Sequence, residues 1–247
     1  MSDETLIENP VSKGVIGVLS ASAQRAALTA CAGAFVNTPA GRECGCSIRF
    51  HWATSGAVTQ RIKSGEQYDI VAASLAALED LASQSLVSSS AHKVGISRIA
   101  LGMRKGESPP DISTPENFRQ ALFQARAYSR GDPAGGGTAG QFLASMLARI
   151  GALEETQAKS ILRVGGYNVM KEVAEGRADF GLTQSTEIVA VDGVEISAWL
   201  PEDLQMETVY AIASGADGAF PEAQSFLNFV TGPAGRQIYG AAGFAHA

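Results

Sequence analysis

The chain has 247 residues, of which 45% are hydrophobic and 18% charged, enough apolar material for two modest globular lobes and too much for a largely disordered chain. Its net charge of −6 and pI of about 5.1 exclude the basic stripe needed to track a phosphate backbone, so nucleic acid is not an expected partner. No stretch approaches the roughly eighteen apolar residues of a membrane span, and no membrane insertion is expected.

In chain order, residues 1–13 read as a flexible leader carrying Asp3, Glu4 and Glu8 against Lys13. Residues 14–19 form a short apolar run that predicts a strand, followed at helical spacing by Ala27, Leu28, Cys31, Ala34 and Phe35. The run and Ser20-Ala21-Ser22-Ala23 together have the outline of a signal peptide and its cleavage site, and Leu28-Thr29-Ala30-Cys31 that of a lipoprotein box. The acidic leader and the Gln24-Arg25 interruption argue against both. The expected location is therefore cytoplasmic as written, or periplasmic if a native leader has been removed.

Residues 47–52 alternate Ile48, Phe50 and Trp52 with polar neighbours, and Thr54-Ser55-Gly56 then precedes a helix carrying Val58 and Ile62. Residues 69–73 predict a third strand, with a helix from about Leu75. The theme continues with a strand at 99–103, a capping box with helix-start proline at Ser113-Thr114-Pro115-Glu116, and a strand at 127–129. The run from Gly131 through Gly135-Gly136-Gly137-Thr138 predicts a loop opening onto a helix with Phe142, Leu143, Met146, Leu147 and Ile150. Strands at 161–164, 180–183 and 206–213 follow, a helix lies between the first two, and helices from Pro221 and Pro233 close the chain.

The three cysteines, Cys31, Cys44 and Cys46, are odd in number, and Cys44 and Cys46 are too close in sequence for an ordinary structural disulfide. This argues for a reducing compartment or one free thiol. The three histidines, His51, His92 and His246, are scattered without metal-ligand spacing. No metal and no cofactor are expected.

Alternating strands and helices predict an α/β fold with mostly parallel sheets covered on both faces. In such sheets ligands sit beyond the carboxyl ends of the strands, where loops lead into helix N-termini. Five junctions fit: Ser20 and Ser22; Thr54 and Ser55; Gly135 to Thr138, with Gly136 and Gly137; Tyr167 and Asn168; and Gln184 with Ser185. A helix start offers unpaired N–H groups and about half a positive charge, so several together can hold an anion without lysine. For any single junction the simpler reading is an N-cap; their succession, with a triple-glycine loop among them, points to a site. That loop lacks the P-loop lysine and does not follow the dinucleotide GxGxxG order.

On these residues the chain resembles the molybdate-binding-protein family of the type II periplasmic binding fold. The likeness runs from about Gly14 and is strongest in residues 18–35, Thr54-Ser55-Gly56-Ala57 with Arg61-Ile62, Tyr68-Asp69-Ile70-Val71, Gly176-Arg177-Ala178-Asp179-Phe180-Gly181, and Phe226-Leu227 through Gly232-Pro233-Ala234. It implies two lobes, residues 14–96 with 205–247 and residues 97–204, joined by crossing strands near 97–104 and 206–213, with a ligand cleft between them. Ser55 and the turn at Asn168 and Val169 match the family's oxyanion contacts. Ala23 stands where that family has serine and Gln184 where it has tyrosine, which argues against a tetrahedral oxyanion as the specific ligand.

Asp111-Ile112-Ser113-Thr114-Pro115-Glu116, Tyr128-Ser129, Asp132-Pro133 and the glycine loop are similar to a branch that looks like the bacterial aconitate isomerases. That chemistry needs clamps for carboxylates and a group that moves a proton between allylic carbons. Arg130, Arg25 and Arg61 are candidate clamps, since guanidinium pairs bidentately with carboxylate. Arg25 and Arg61 read more simply as solvated helix residues, and Arg130, beside the loop, is the preferred one. His51 reads as a sheet position, and no catalytic group is assigned. Tyr128, Tyr167 and Tyr210 read first as packing residues with the hydroxyl at the edge, and Tyr167, in a Gly-Gly-Tyr-Asn turn, fits that reading least.

Two functions follow. One is a solute-binding-type protein closing on a small anion, such as a di- or tricarboxylate, with a transporter as partner only if it is exported. The other is an isomerase of the aconitate type on the same scaffold. An effector-sensing module is disfavoured because no helix-turn-helix accompanies the lobes.

Overall fold

The computed structural model describes residues 4–10, 13–218 and 220–245; His246 lies outside them. The chain divides into two compact units, Met1–Ile96 with Thr208–Ala247, and Ser97–Glu207. The second boundary between the units thus falls between Glu207 and Thr208.

In chain order the elements are β1 (Glu4–Ile7), β2 (Gly14–Ala21), α1 (Arg25–Phe35), α2 (Pro39–Cys44), β3 (Cys46–Ala53), α3 (Ser55–Lys63), β4 (Ile70–Ser74) and α4 (Leu75–Ser83). The chain then follows β5 (His92–Arg104), α5 (Pro115–Gln124), β6 (Tyr128–Gly131), α6 (Thr138–Arg149), β7 (Ser160–Arg163), α7 (Gly166–Ala174), β8 (Phe180–Gln184), α8 (Ser185–Ile188) and β9 (Val194–Trp199). It ends with β10 (Glu207–Ser214), α9 (Pro221–Thr231) and α10 (Pro233–Ala241).

In the first unit the strands run in the order β1-β3-β2-β4-β10. The central three are parallel, and β1 and β10 lie antiparallel to their neighbours. Period-two alternation sorts the side chains. Ile16, Val18, Ile48, Phe50 and Trp52 enter one core with Phe35 and Phe226, while Leu19 and Val71 enter the other with Val58, Ile62 and Leu78. Phe50 stacks on Trp52 at 4.8 Å between centroids. Each fully buried side chain of this size contributes about 1.5–3 kcal/mol.

Residues 4–7 correct the expectation of a flexible leader. They form β1 against β3, with Thr5 Oγ1 accepting from Trp52 Nε1 at 2.9 Å and Glu4 paired to Arg49. Four half-exposed residues leave too little periodicity for the sequence to show this.

The second unit repeats the plan in the order β9-β5-β8-β6-β7, with β8, β6 and β7 parallel and β5 and β9 antiparallel to their neighbours. Leu101, Tyr128, Phe180 and Leu182 pack against Phe118, Leu122, Leu143 and Leu147 on one face. Ala100 packs with Val169, Met170, Val173 and Ile188 on the other. The α5 cap is Thr114, whose Oγ1 accepts from Asn117 N at 3.1 Å. This corrects the capping box expected to close at Glu116, because the third helical position is Asn117; Glu116 instead accepts from Gln120 Nε2. All three cysteines are free, and burial pushes the Cys31 thiol up to about 12.

Candidate functional site

In the first unit three of the four junction hydroxyls make local bonds. Ser20 is buried and donates to the Ala21 carbonyl at 3.1 Å, and Ser22 donates to the Ala53 carbonyl at 3.0 Å. Thr54 caps α3, its Oγ1 accepting from Ala57 N at 3.2 Å, and the buried Ser55 opens that helix. Beneath them the buried Gln24 reaches the Ala73 and Ala211 carbonyls and accepts from Tyr239 Oη at 2.8 Å. These bonds fix the loop ends of β2, β3 and β4.

The other first-unit candidates have structural places. Arg25 lies over the Trp52 ring at 5.1 Å. Arg61 forms a fork with Glu66 and touches the Tyr68 hydroxyl. His51 packs edge-on to Tyr68 and lines a cavity of about 490 Å³ at the amino-terminal ends of β2 and β4, away from the junctions. Neither Arg61 nor His51 joins the strand-end residues.

In the second unit, β6 delivers Arg130 and then breaks at Asp132 and Pro133. Asp132 Oδ1 accepts from Ala134 N, a single 3-10 turn follows, and Gly136 takes a left-handed conformation at φ 69°. Gly137 is the cap of α6 and offers no side chain, and Thr138 is the first helical residue. Among the described residues no acceptor is found for the backbone amides of Thr138 and Ala139. The loop folds tightly because strand and helix touch: a Cβ on Gly131 would stand 2.9 Å from Gly140 Cα.

Arg130 is 4% exposed. Its Nε donates to Ser160 Oγ at 3.0 Å, and its Nη1 is buried with no hydrogen-bond partner among the described residues. No carboxylate among those residues pairs with it. A buried, uncompensated guanidinium is costly unless something brings the opposite charge.

The Tyr167 and Asn168 junction is built differently. Gly165, at φ 78°, precedes α7 without a side-chain cap. Gly166 N donates to Glu187 Oε1 at 2.9 Å, and Thr183 Oγ1 donates to Glu187 Oε2 at 2.7 Å. Asn168 N and Val169 N both turn back to the Gly165 carbonyl, and Asn168 Nδ2 donates to the Val164 carbonyl. Lys171 Nζ lies 5.6 Å from the centre of the Tyr167 ring. Burial pushes the Glu187 carboxyl above the ordinary carboxylate range, against the pull of Thr183 Oγ1 and the Gly166 and Gln184 amides.

Gln184 is buried at the end of β8. Beside it Ser185 Oγ lies 3.0 Å from Ser97 Oγ, with Thr186 Oγ1 at 3.4 Å from the same atom. The sequence reading named Gln184 and Ser185 but missed Glu187 and Ser97, which complete this buried polar cluster. Their one sequence signal was a run of polar residues, Thr183 to Glu187, where a buried strand end was expected. Among the described residues no cluster of three or more His, Cys, Asp or Glu could hold a metal ion, and no helix is long and apolar enough to cross a membrane.

Against known proteins, the model of a family described as bacterial extracellular solute-binding protein matches residues 16–245. An aconitate isomerase from a Pseudomonas species is 30% identical over 175 residues, which cover 70% of this chain and 65% of that protein's length. The periplasmic molybdate-binding protein of Azotobacter vinelandii superposes with a TM-score of 0.75 at 19% identity, covering 94% of this chain and 99% of that one. The sulfate-binding protein of Mycobacterium tuberculosis gives 0.70 at 17% identity, covering 94% and 86%. At these identities the two structural likenesses speak for the fold alone.

Proposed function

This chain belongs to the bacterial extracellular solute-binding protein family, and we propose that it binds a small di- or tricarboxylate through its strand-to-helix junctions. The observation that carries this reading is Arg130, a buried guanidinium with one Nη lacking a partner among the described residues, on the strand whose carboxyl end leads into the open amides at the start of α6. A planar carboxylate takes two parallel N–H bonds from such a fork, and the helix start adds donors and positive potential. In the receptor form of this function the partner is a membrane transporter, and that partner applies to an exported chain.

The test is calorimetric titration of the wild-type chain and Arg130→Met with citrate, cis-aconitate, trans-aconitate, sulfate and molybdate. Wild type is expected to bind at least one tricarboxylate, and Arg130→Met to lose about 30-fold or more in affinity, as truncating one partner of a buried charge pair costs 2 kcal/mol or more. The unliganded variant should melt no lower than wild type, because it sheds a buried unpaired charge. Wild-type affinity in Arg130→Met would sink the reading.

A second reading is favoured by the 30% identity to a protein curated as aconitate isomerase. Here the bound tricarboxylate loses a proton at one allylic carbon and regains one at another as the double bond moves, with no net oxidation. NMR of cis-aconitate incubated with the protein separates the two: growth of trans-aconitate signals establishes the isomerase, and an unchanged spectrum with binding leaves the receptor.

A further inference from the structure

Two helix starts in the second unit look alike in sequence, Gly136-Gly137-Thr138 and Gly165-Gly166-Tyr167, but one already contains a carboxyl group. Glu187, carried on the buried α8, places Oε1 2.9 Å from Gly166 N and Oε2 2.7 Å from Thr183 Oγ1. A Cβ added to Gly166 would stand 2.0 Å from Glu187 Oε2 and 2.1 Å from Thr183 Oγ1. The carboxyl therefore lies directly on the backbone of the first residue of α7, with no space for a ligand oxygen between them. The Asn168 and Val169 amides are taken by the Gly165 carbonyl.

We infer that Glu187 is a positioning residue: its carboxyl fills the start of α7 where a ligand anion would sit and ties that start to the end of β8, leaving α6 and Arg130 to take the ligand's charge. The inference rests on the carboxylate-binding reading above. The built-in carboxyl accepts from the helix start as a bound anion would, and it leaves no room for a second anion there. Ligand charge is thereby directed to one of two similar junctions.

Among the described residues, no other ionisable side chain is bonded to the Glu187 carboxyl. On α7 the titratable side chains are Tyr167, Lys171 over its ring, and Glu172, which is bound to Arg163 and Arg177. On β9, Glu195 accepts from Gly106 N, and β8 carries none. The direct partners of the Glu187 carboxyl are Thr183, Gly166 and Gln184.

The experiment is thermal unfolding of the full chain as wild type, Glu187→Ala and Glu187→Gln, with formate against chloride at equal ionic strength. Formate is the smallest carboxylate that fits the vacated place. In Glu187→Ala the melting temperature should drop, and about 100 mM formate should raise it by about 3 °C while moving wild type by less than about 1 °C. A folded Glu187→Ala with no formate response overturns the inference.

Glu187→Gln keeps the shape and serves if the alanine variant does not fold. Above the ordinary value of 4.5 the unfolded chain releases this proton while the folded chain retains it, so wild-type stability falls as pH rises through that window. Glu187→Gln should lack this fall, and an unchanged pH profile overturns the inference. Neither readout needs a tricarboxylate, so failure of the ligand reading would show as wild type binding none, separately from either result.

Discussion

The starts of α6 and α7 are two answers to one problem. Both follow a parallel strand through glycines, and both lack a side-chain cap of their own. At α6 the Thr138 and Ala139 amides find no acceptor among the described residues, whereas at α7 the Gly166 amide is closed by Glu187 and the Asn168 amide by the Gly165 carbonyl. A glycine-rich junction is thus not by itself an anion site; its use depends on whether the fold supplies an acceptor from elsewhere.

The strongest way to break this comparison is steric. Gly166→Ala puts a methyl 2.0 Å from Glu187 Oε2 and 2.1 Å from Thr183 Oγ1, so these buried side chains must give up the bonds that close the α7 start. A loss of about 3 kcal/mol is expected, read by urea denaturation. Gly136→Ala, strained by its left-handed φ of 69°, should cost only about 1 kcal/mol. Equal costs would mean that Glu187 does not rest on the α7 backbone.

The next test removes one open donor without disturbing the helix. Thr138 is the first residue of α6, where proline is tolerated, and Gly137 before it is already extended at ψ 131°. Thr138→Pro deletes that N–H and should weaken tricarboxylate binding roughly tenfold, about 1.4 kcal/mol, with the fold intact. Asn168→Ala at the closed junction should change affinity by less than about twofold. The reverse ranking in a titration would exchange the roles of the two helix starts.

These contrasts also mark what the sequence could show. Alternation of Ile48, Phe50 and Trp52, the Thr54 cap and the prolines at 221 and 233 are local signals, and the elements they predict are present. Strands β1 and β9 and the short α2 and α8 lie where residues are few or half-exposed, and no periodicity survives. The junction loops were legible because glycine and hydroxyl residues cluster in the chain. The closure of one of them was not, since the bond from Gly166 to Glu187 spans 21 residues. Arg130 was visible as a cation after a strand; its burial and its unpaired Nη1 are tertiary facts.

The finest distinction is one of pH, because α7 is anchored by two glutamates whose titrations act in opposite directions. Glu172, buried near the end of α7, binds Arg177 at 2.5 Å and Arg163 at 2.9 Å, and these guanidinium groups hold its carboxyl below the ordinary value of 4.5. Its contribution is present above pH 4.5 and is lost as pH falls through its folded value, because the unfolded chain then binds the proton first. Both arginines are about half exposed, so water and salt screen the pair, and Glu172→Gln should cost about 1 kcal/mol at neutral pH. Glu187, held above its ordinary value by burial, gives the opposite slope, a loss of stability as pH rises. Melting temperature against pH should therefore lose part of its acid limb in Glu172→Gln and part of its falling limb in Glu187→Gln. A Glu172→Gln profile parallel to wild type below pH 4.5 would remove that ion pair from the anchoring of α7 and leave Glu187 as the group that holds its start.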